Sequence, residues 1–220
     1  MAVLVLKFSG PLQSWGTGMK LKDHETDSMP SKSGTIGMIA AAMGRSRNED
    51  ISDLASLRFG VREDEPGEIL HDYHAAHTYK GEKITATDVG RRDYIQDACF
   101  VVGLEGGRDL LERCEYALHH PVFQLYLGRR SCVPDVGMVK GIFEGGLEEV
   151  LSAFPRQTGG NEWDEKDQKT RRKNDKGRIL RLCVETNDTG DRTRKDAPLS
   201  FDFRNRQYGH RMEKDLYIEM

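Results

Sequence analysis

The chain has 220 residues, of which 37% are hydrophobic and 31% are charged, and its formal net charge at pH 7 is −3. This length is sufficient for a sizeable buried core, and recurring apolar runs exclude a disordered polar chain. No apolar stretch reaches the roughly 20 residues that span a bilayer, and the net charge argues against a generic basic nucleic-acid coat. The apolar opening at residues 2–6 is too short for a signal peptide, so we expect a cytoplasmic protein.

Cysteine usage and local charge refine this picture. The cysteines form no Cys-x-x-Cys pair, which predicts reduced structural thiols rather than a zinc site or a disulfide framework. A nearly neutral protein with basic patches can hold nucleic acid at one place while its other faces meet proteins. The four cysteines are Cys99, Cys114, Cys132 and Cys183, and the basic patches lie at 91–92, 129–130, 169–173 and 204–211.

Hydrophobic periodicity predicts strands and helices through the first part of the chain. The opening segment alternates and ends at a Gly-Pro turn, and a later apolar stripe recurs every three to four residues before a glycine. The segment from Glu63 to Asp93 is polar, carries aromatic residues and predicts an extended hairpin that protrudes from the core. The other predicted elements are a strand at Val3–Phe8, a helix from Pro30-Ser31 to Gly44, a helical turn at 51–57 and a strand at Arg58–Arg62.

The remaining chain predicts a second strand-helix alternation and then closing strands. Gln157–Gly177 is almost free of aliphatic residues and predicts a flexible polar loop. The order β-α-β, hairpin, β-α-β favours one α+β domain over residues 1–220, built on a split β-α-β, or ferredoxin-like, core. The predicted elements are a strand at Ala98–Leu104, a helix at Asp109–His119, strands at Val122–Leu127 and Val136–Phe143, a helical stripe at 147–154, and strands at Ile179–Glu185, Leu199–Phe203 and Leu216–Ile218.

The turn after the first strand is the first candidate site. Gln13 and Ser14 supply hydrogen-bonding groups, and Trp15 supplies a stacking face. An ordinary loop with a core tryptophan is the alternative, since most tryptophans are largely buried.

The predicted helix start at residues 30–35 is the second candidate. Unpaired N–H groups at a helix N-terminus suit phosphate, and Lys32 and Ser33 add donors. The spacing of a Walker A loop is missing. A plain N-cap by Ser31 or Ser33 explains the same residues.

The basic turn at residues 126–132 is the third candidate. Gly128 allows close backbone approach, and Arg129 and Arg130 after Tyr126 form a candidate anion clamp. A solvated basic turn is the alternative.

Three histidines at 71, 74 and 77 raise the question of a metal or a catalytic base. Their spacing fits no standard zinc pattern, and strand alternation turns neighbours to opposite faces, so we expect neither a metal nor a cofactor. His74 with Tyr79 and Lys80 leaves metal-free RNA cleavage open. No other catalytic motif is present. Residue chemistry therefore favours an α+β protein that binds an anion, with RNA as the favoured ligand.

Five strings taken together point to a family. They are Phe8–Gly16, Pro30–Gly34, Asp72-Tyr73-His74, Arg92-Asp93-Tyr94 with the following Asp97–Phe100, and Tyr126–Cys132. In this order they resemble the CasD family, the fifth Cas family as found in type I-E CRISPR Cascade. The resemblance runs from residue 3 to about residue 135 and is weak afterwards.

The resemblance implies a ferredoxin-like (RRM-like) core with a protruding β-hairpin thumb at about residues 65–95. It also implies a non-catalytic RNA-binding subunit of an antiviral ribonucleoprotein complex. Such a subunit holds the 5′ handle of the CRISPR RNA, joins the backbone subunit CasC to the large subunit CasA, and meets target DNA only through the complex. Arg92 matches the family's thumb arginine. The expected RNA-binding residues are Gln13, Ser14, Trp15, Lys32, Ser33, Arg91, Arg92, Tyr94, Tyr126, Gly128, Arg129 and Arg130.

Two alternatives remain at this stage. Relatives in type I-C systems cut repeat RNA themselves, which makes a metal-independent endoribonuclease the second hypothesis. A ferredoxin-like module that binds a small molecule or a protein without RNA is the third.

Overall fold

The computed structural model describes residues 1–16, 23–159 and 177–219, and within these ranges the chain forms a mixed α/β fold of mostly antiparallel sheets with few helices. The strands are β1 (Ala2–Ser9), β2 (Leu12–Gln13), β3 (Asp23–His24), β4 (Arg58–Glu65), β5 (Glu68–Lys80), β6 (Lys83–Gln96), β7 (Cys99–Gly106), β8 (Val139–Glu144), β9 (Ile179–Thr186), β10 (Arg192–Ser200) and β11 (Gln207–Glu219). The helices are α1 (Lys32–Ala42), α2 (Ser52–Ala55), α3 (Arg108–His119) and α4 (Leu147–Ala153).

Seven strands form the main sheet in the order β10-β11-β9-β4-β7-β1-β8, and every pair of neighbours is antiparallel. β1 lies between β7 and β8 and is buried along its whole length. Because side chains alternate along a strand, β1 contributes to two hydrophobic clusters. Leu4, Leu6 and Phe8 pack with residues of α1 and α3, whereas Val3 and Val5 pack with residues of α4.

β5 and β6 pair as a long antiparallel hairpin from Glu68 opposite Gln96 to Lys80 opposite Lys83. Almost all of their side chains are exposed until β6 reaches Asp93. At its base β6 also pairs with β2 and, in parallel, with β3. The base of the hairpin is therefore tied to the rest of the protein chiefly through β6.

A buried ion pair connects the end of α4 to the main sheet. The Arg62 guanidinium is fully buried and donates to the Asp64 carboxylate at 2.6 and 2.8 Å. It also donates to the carbonyl oxygens of Leu151 (2.6 Å) and Phe154 (2.5 Å) at the end of α4. Asp64 in turn accepts the backbone N–H of Gln157 at 2.6 Å. These bonds satisfy carbonyls that a helix end leaves unpaired.

The four cysteines are free and buried. Burial raises the pKa of the Cys99 and Cys183 thiols to about 12. Neither is a thiolate nucleophile at neutral pH.

The predicted strand at Val122–Leu127 is wrong. β8 occupies the free edge of β1, so this segment has no strand to pair with. Its backbone bonds go to loops and to a helix end instead: Val122 N–H donates to Ala42 O (2.9 Å) and Leu127 N–H donates to Cys132 O (2.7 Å).

The strand predicted at Leu199–Phe203 is also wrong in its position, because β10 runs earlier, over Arg192–Ser200. β11 is far longer than the Leu216–Ile218 segment that the apolar pattern indicated. Ion pairs fill the interior of this part of the sheet: Asp196 is 1% exposed and bonds Arg211 at 2.6 Å. A search for apolar alternation misses such strands. The loop predicted at Gln157–Gly177 falls almost wholly on residues 160–176, outside the described residues.

We expect Asp64→Ala to lower the free energy of unfolding by about 3–5 kcal/mol, because it leaves the buried Arg62 guanidinium without a counter-charge. Asp64→Asn keeps one acceptor oxygen and should cost less. Urea denaturation measures both. Arg108→Ala, which removes the exposed ion pairs of Arg108 with Glu112 and Glu144, is the control and should have little effect. Equal losses for Asp64→Ala and Arg108→Ala would contradict this account.

Candidate nucleic-acid interface

The segment that follows β1 and contains β2 is held in place by hydrogen bonds within the protein. The Gln13 amide donates to the carbonyl oxygens of Phe8 (3.2 Å) and Ala98 (2.9 Å) and accepts from the Trp15 indole N–H (3.0 Å). Trp15 is 1% exposed and stacks on Phe8 with the ring centroids 5.4 Å apart. Ser14 is buried too and donates its hydroxyl to a carbonyl of β6 (3.1 Å). The prediction of RNA contact by these three side chains is therefore corrected: they hold the core together.

The N-terminus of α1 is already occupied by a carboxylate of the protein. The backbone N–H of Lys32 donates to Asp196 Oδ2 at 2.8 Å, where phosphate was predicted. The Lys32 ammonium is buried and pairs with Glu185 at 2.8 Å. Ser31 is the N-cap, its hydroxyl oxygen accepting a first-turn N–H at 3.2 Å. The prediction that Lys32 binds RNA is therefore corrected, because its ammonium is already paired within the protein. RNA binding by the half-buried Ser33 stays a prediction.

The basic turn and the base of β6 come together as one surface. Alternation along β6 places Arg92 and Tyr94 on one of its faces. The Arg129 guanidinium lies over the Tyr94 ring, 4.9 Å from its centroid, and donates to His24 O at 2.8 Å. Tyr94 is 7% exposed, so it supports Arg129 instead of offering a free face to a base. We call the set Arg92, Tyr94, Gly128, Arg129 and Arg130 the hairpin-base surface.

Gly128 permits the close approach that builds this surface. Its φ is +88°, and a Cβ there would lie 1.7 Å from the backbone oxygen of Ser14. Any other residue would push the turn away from Ser14, which directly follows β2. Tyr126, two residues earlier, is half-buried.

The hairpin-base surface keeps cationic groups available to a ligand. Arg92 and Arg130 are exposed and have no ion pair or side-chain hydrogen bond among the residues that the structure describes, although Arg92 lies across from Asp72. Within the same described ranges, the Nη1 atom of Arg129 is buried without a hydrogen-bond partner. A guanidinium nitrogen that is buried without an acceptor is costly, so a small shift of the turn that let an anion bond to it would be favoured. This arrangement suits a phosphate backbone.

Arg91 does not join this surface. It shares the other face of β6 with Asp93, whose Oδ1 lies 3.4 Å from Arg91 Nε and 2.8 Å from His71 Nδ1. Glu25 adds a second carboxylate 3.9 Å away. The charge of Arg91 is therefore largely neutralised within the protein, and its contact with RNA stays a prediction.

The residues considered for RNA cleavage do not converge. His74 and Tyr79 are five residues apart on β5, which is about 17 Å at the rise of a strand, and an odd spacing turns them to opposite faces. His77 binds Thr87 Oγ1 at 2.9 Å and packs edge-on against Tyr79. Across residues 1–16, 23–159 and 177–219, no group of three His, Cys, Asp or Glu side chains is arranged to hold a metal ion.

The comparisons with known proteins decide the family. A family model described as CRISPR-associated protein (Cas_Cas5) matches residues 3–212. The chain belongs to this Cas5 family. The resemblance to CasD proteins that the five strings indicated is confirmed.

A curated relative and two solved structures are similar to this Cas5 chain. "CRISPR system Cascade subunit CasD" of Escherichia coli (strain K12) is 34% identical over 149 residues, which cover 59% of this chain and 66% of that protein, just under two thirds. A chain of a "CRISPR RNA-guided surveillance complex" is 31% identical with a TM-score of 0.78, covering 99% of this chain and 90% of that one. A "Crystal structure of Cas protein" is 36% identical with a TM-score of 0.73, covering 99% and 95%.

Membrane insertion through helices finds no support in the part of the chain that the structure describes. The longest helix there, α3, has 12 residues, and none is long and apolar enough to cross a bilayer.

We expect Gly128→Ala to destabilise the fold by more than about 3 kcal/mol, because the backbone must shift to relieve both the clash and the positive φ. Gly81→Ala at the hairpin tip is the matched control. Gly81 also has a positive φ (+65°), yet nothing lies within 4 Å of its Cβ position, so only the roughly 1–2 kcal/mol of the left-handed conformation applies. Urea denaturation of both variants separates the cost of the clash with Ser14 from the cost of the positive φ. Similar losses would show that Gly128 is needed for its φ alone.

Proposed function

We propose that this chain is a subunit of a type I-E CRISPR Cascade surveillance complex and holds the 5′ handle of the CRISPR RNA without cutting it. The observation that carries the proposal is the hairpin-base surface. There Arg129 stacks on a buried tyrosine with one nitrogen unpaired, beside two arginines that have no partner among the described residues. Arginine planes and forks are the groups that recognise unpaired RNA. The family supplies the context in which that RNA is a CRISPR RNA.

The strand order supports a ferredoxin-like core with β5 and β6 as its thumb. The segment from β1 to β8, without the hairpin, has the connectivity β-α-β-β-α-β and the sheet order β8-β1-β7-β4. This connectivity supports the proposed split β-α-β arrangement. The hairpin is inserted into this core between β4 and β7, at the end of the sheet where the last residues of β1 lie.

The other face of the hairpin supports contacts with neighbouring subunits, for which CasC and CasA are the candidates. Tyr73 and Val89 share the face of Arg91 and are 66% and 59% exposed, and Ile69 at its base is 50% exposed. A two-stranded hairpin is marginally stable on its own, so covering this apolar face would stabilise it. We infer that protein covers this face while RNA lies on the side of Arg92. Contact with target DNA is then indirect, through the complex.

We expect Arg92→Ala and Arg130→Ala each to weaken binding of the handle RNA by about tenfold without lowering the melting temperature, since truncating an exposed side chain leaves no cavity. Each should flatten the salt dependence by about 0.7 in log–log slope, the value for one phosphate contact on a single strand. Fluorescence anisotropy with labelled handle RNA measures both effects. Arg47→Ala, an exposed arginine between α1 and α2, is the control.

Two outcomes would contradict the handle-binding proposal. One is a loss of stability larger than the loss of RNA affinity, which would make Arg92 or Arg130 structural. The other is an equal loss of affinity in Arg47→Ala, which would reduce the effect to net charge. A loss confined to one handle sequence would instead mean that Arg130 reads a base.

We expect no cleavage when the purified chain is incubated with labelled repeat RNA, because a metal-free ribonuclease must bring a base, an acid and a cation to one phosphate. The spacing of His74 and Tyr79 on β5 opposes such convergence. Gel analysis over several hours measures this, with His74→Ala and His77→Ala run in parallel. Specific cleavage at the handle boundary that disappears in His74→Ala but not in His77→Ala would overturn the binding-only proposal in favour of an endoribonuclease.

A further inference from the structure

The turn between β10 and β11 presents an aromatic ring and two arginines that the hairpin-base surface does not use. Phe203 is 83% exposed, and Arg204 and Arg206 are exposed beside it. Among the residues that the structure describes, neither guanidinium has an ion pair or a hydrogen bond. These residues lie in the basic stretch 204–211, for which the sequence resemblance offered no role.

The backbone of this turn is held in place, so the exposure of Phe203 does not come from a frayed end. Asp202 accepts the N–H of Arg204 on its Oδ1 (2.9 Å) and the N–H of Asn205 on its carbonyl oxygen (3.1 Å). Phe201 packs its ring against α1 at Gly37, where a Cβ would lie 3.5 Å from the ring. One phenylalanine thus anchors the turn while the other faces solvent.

The charge around Phe203 favours a polyanion. Asp202 is the only carboxylate in the sequence 201–210, and its Oδ1 already accepts a backbone N–H. The guanidinium planes of Arg204 and Arg206 match phosphate geometry. An exposed aromatic face stacks on any unpaired base regardless of its identity. Arginines that flank an aromatic ring are therefore suited to an unpaired nucleic-acid strand.

The turn is separate from the hairpin-base surface. β10 is the edge strand of the main sheet farthest from β8, and it contacts α1 and α2. The hairpin-base surface instead involves β3, β6 and the 126–132 turn. A ligand that binds at the turn between β10 and β11 therefore does not need the hairpin-base surface.

We propose that Phe203, Arg204 and Arg206 form a second nucleic-acid contact, which binds an unpaired strand by stacking one base on Phe203 and pairing two phosphates with the arginines. The contact reads neither base identity nor the 2′-hydroxyl. It goes beyond handle binding and does not depend on it.

The test uses the full chain carrying Arg92→Ala and Arg130→Ala, which weakens the hairpin-base surface. The probes are fluorescent 15-nucleotide oligo(dT) and oligo(rU), neither of which contains a handle. Phe203→Ala should weaken binding of both probes by about tenfold with an unchanged salt slope, because it removes stacking and no charge. Phe203→Trp should restore binding. Arg204→Gln with Arg206→Gln should lower the slope by about 1.4, the value for two phosphate contacts on a single strand.

The control is Arg47→Gln with Arg113→Gln, which removes the same charge from exposed arginines outside the turn. An equal loss in this control would overturn the proposal, because net charge alone would then explain binding. Phe203→Trp that binds as weakly as Phe203→Ala would exclude stacking and overturn it too, as would equal affinity for a 15-base-pair duplex. A strong preference for either the DNA or the RNA probe would contradict binding through a stacked base and phosphates alone. Because the probes and the background avoid the handle site, these outcomes are independent of whether handle binding holds.

Discussion

A single buried side-chain amide, that of Gln13, connects the core sheet to the base of the hairpin. Its three hydrogen bonds join the end of β1, the start of β7 and the indole of Trp15, while its backbone pairs with Ile95 of β6. Because the amide is fully buried, any partner that is removed leaves a polar group without water to replace it. These hydrogen bonds fix the register of β2 on β6. They also fix the position at which Tyr94 meets the 126–132 turn.

Internal ion pairs decide which basic residues remain available. The chain carries 33 lysines and arginines, yet Lys32, Arg62 and Arg211 are buried against carboxylates. Asp196 has a central part, since it binds both the N-terminus of α1 and the guanidinium of Arg211. Such pairs position strands more than they add stability. Among the residues that the structure describes, the hairpin-base surface and the turn between β10 and β11 keep exposed arginines without such carboxylate partners.

This distribution explains how a protein with a net charge of −3 is suited to hold RNA. Affinity for a phosphate backbone depends on the local field and on donors without internal partners, not on total charge. The hairpin contributes in two ways. Its base places Arg92 beside Arg129, and its length exposes apolar residues such as Tyr73 on the opposite face. In the proposed function, this element offers Arg92 at its base to RNA and an apolar face to protein.

Local patterns in the sequence were sufficient for most elements and for the family. The N-cap at Ser31 and the glycine after α1, with its φ of +77°, were predictable because capping depends on residues within one turn of the helix. The hairpin of β5 and β6 was predicted from the polar, aromatic-bearing segment between Glu63 and Asp93, because its two strands are neighbours in sequence. The five strings in order were enough to indicate the Cas5 family.

Burial, in contrast, was decided only by the tertiary structure. Gln13 and Trp15 have the chemistry of RNA-binding residues, but β6 and α1 cover them. The carboxylate at the start of α1 comes from Asp196, 164 residues along the chain, so nothing near Lys32 could reveal it. Val122–Leu127 has the composition of a strand, yet β8 had already taken the only open edge of β1. A ladder partner and a buried counter-ion are properties of segments distant in sequence, and therefore local periodicity cannot specify them.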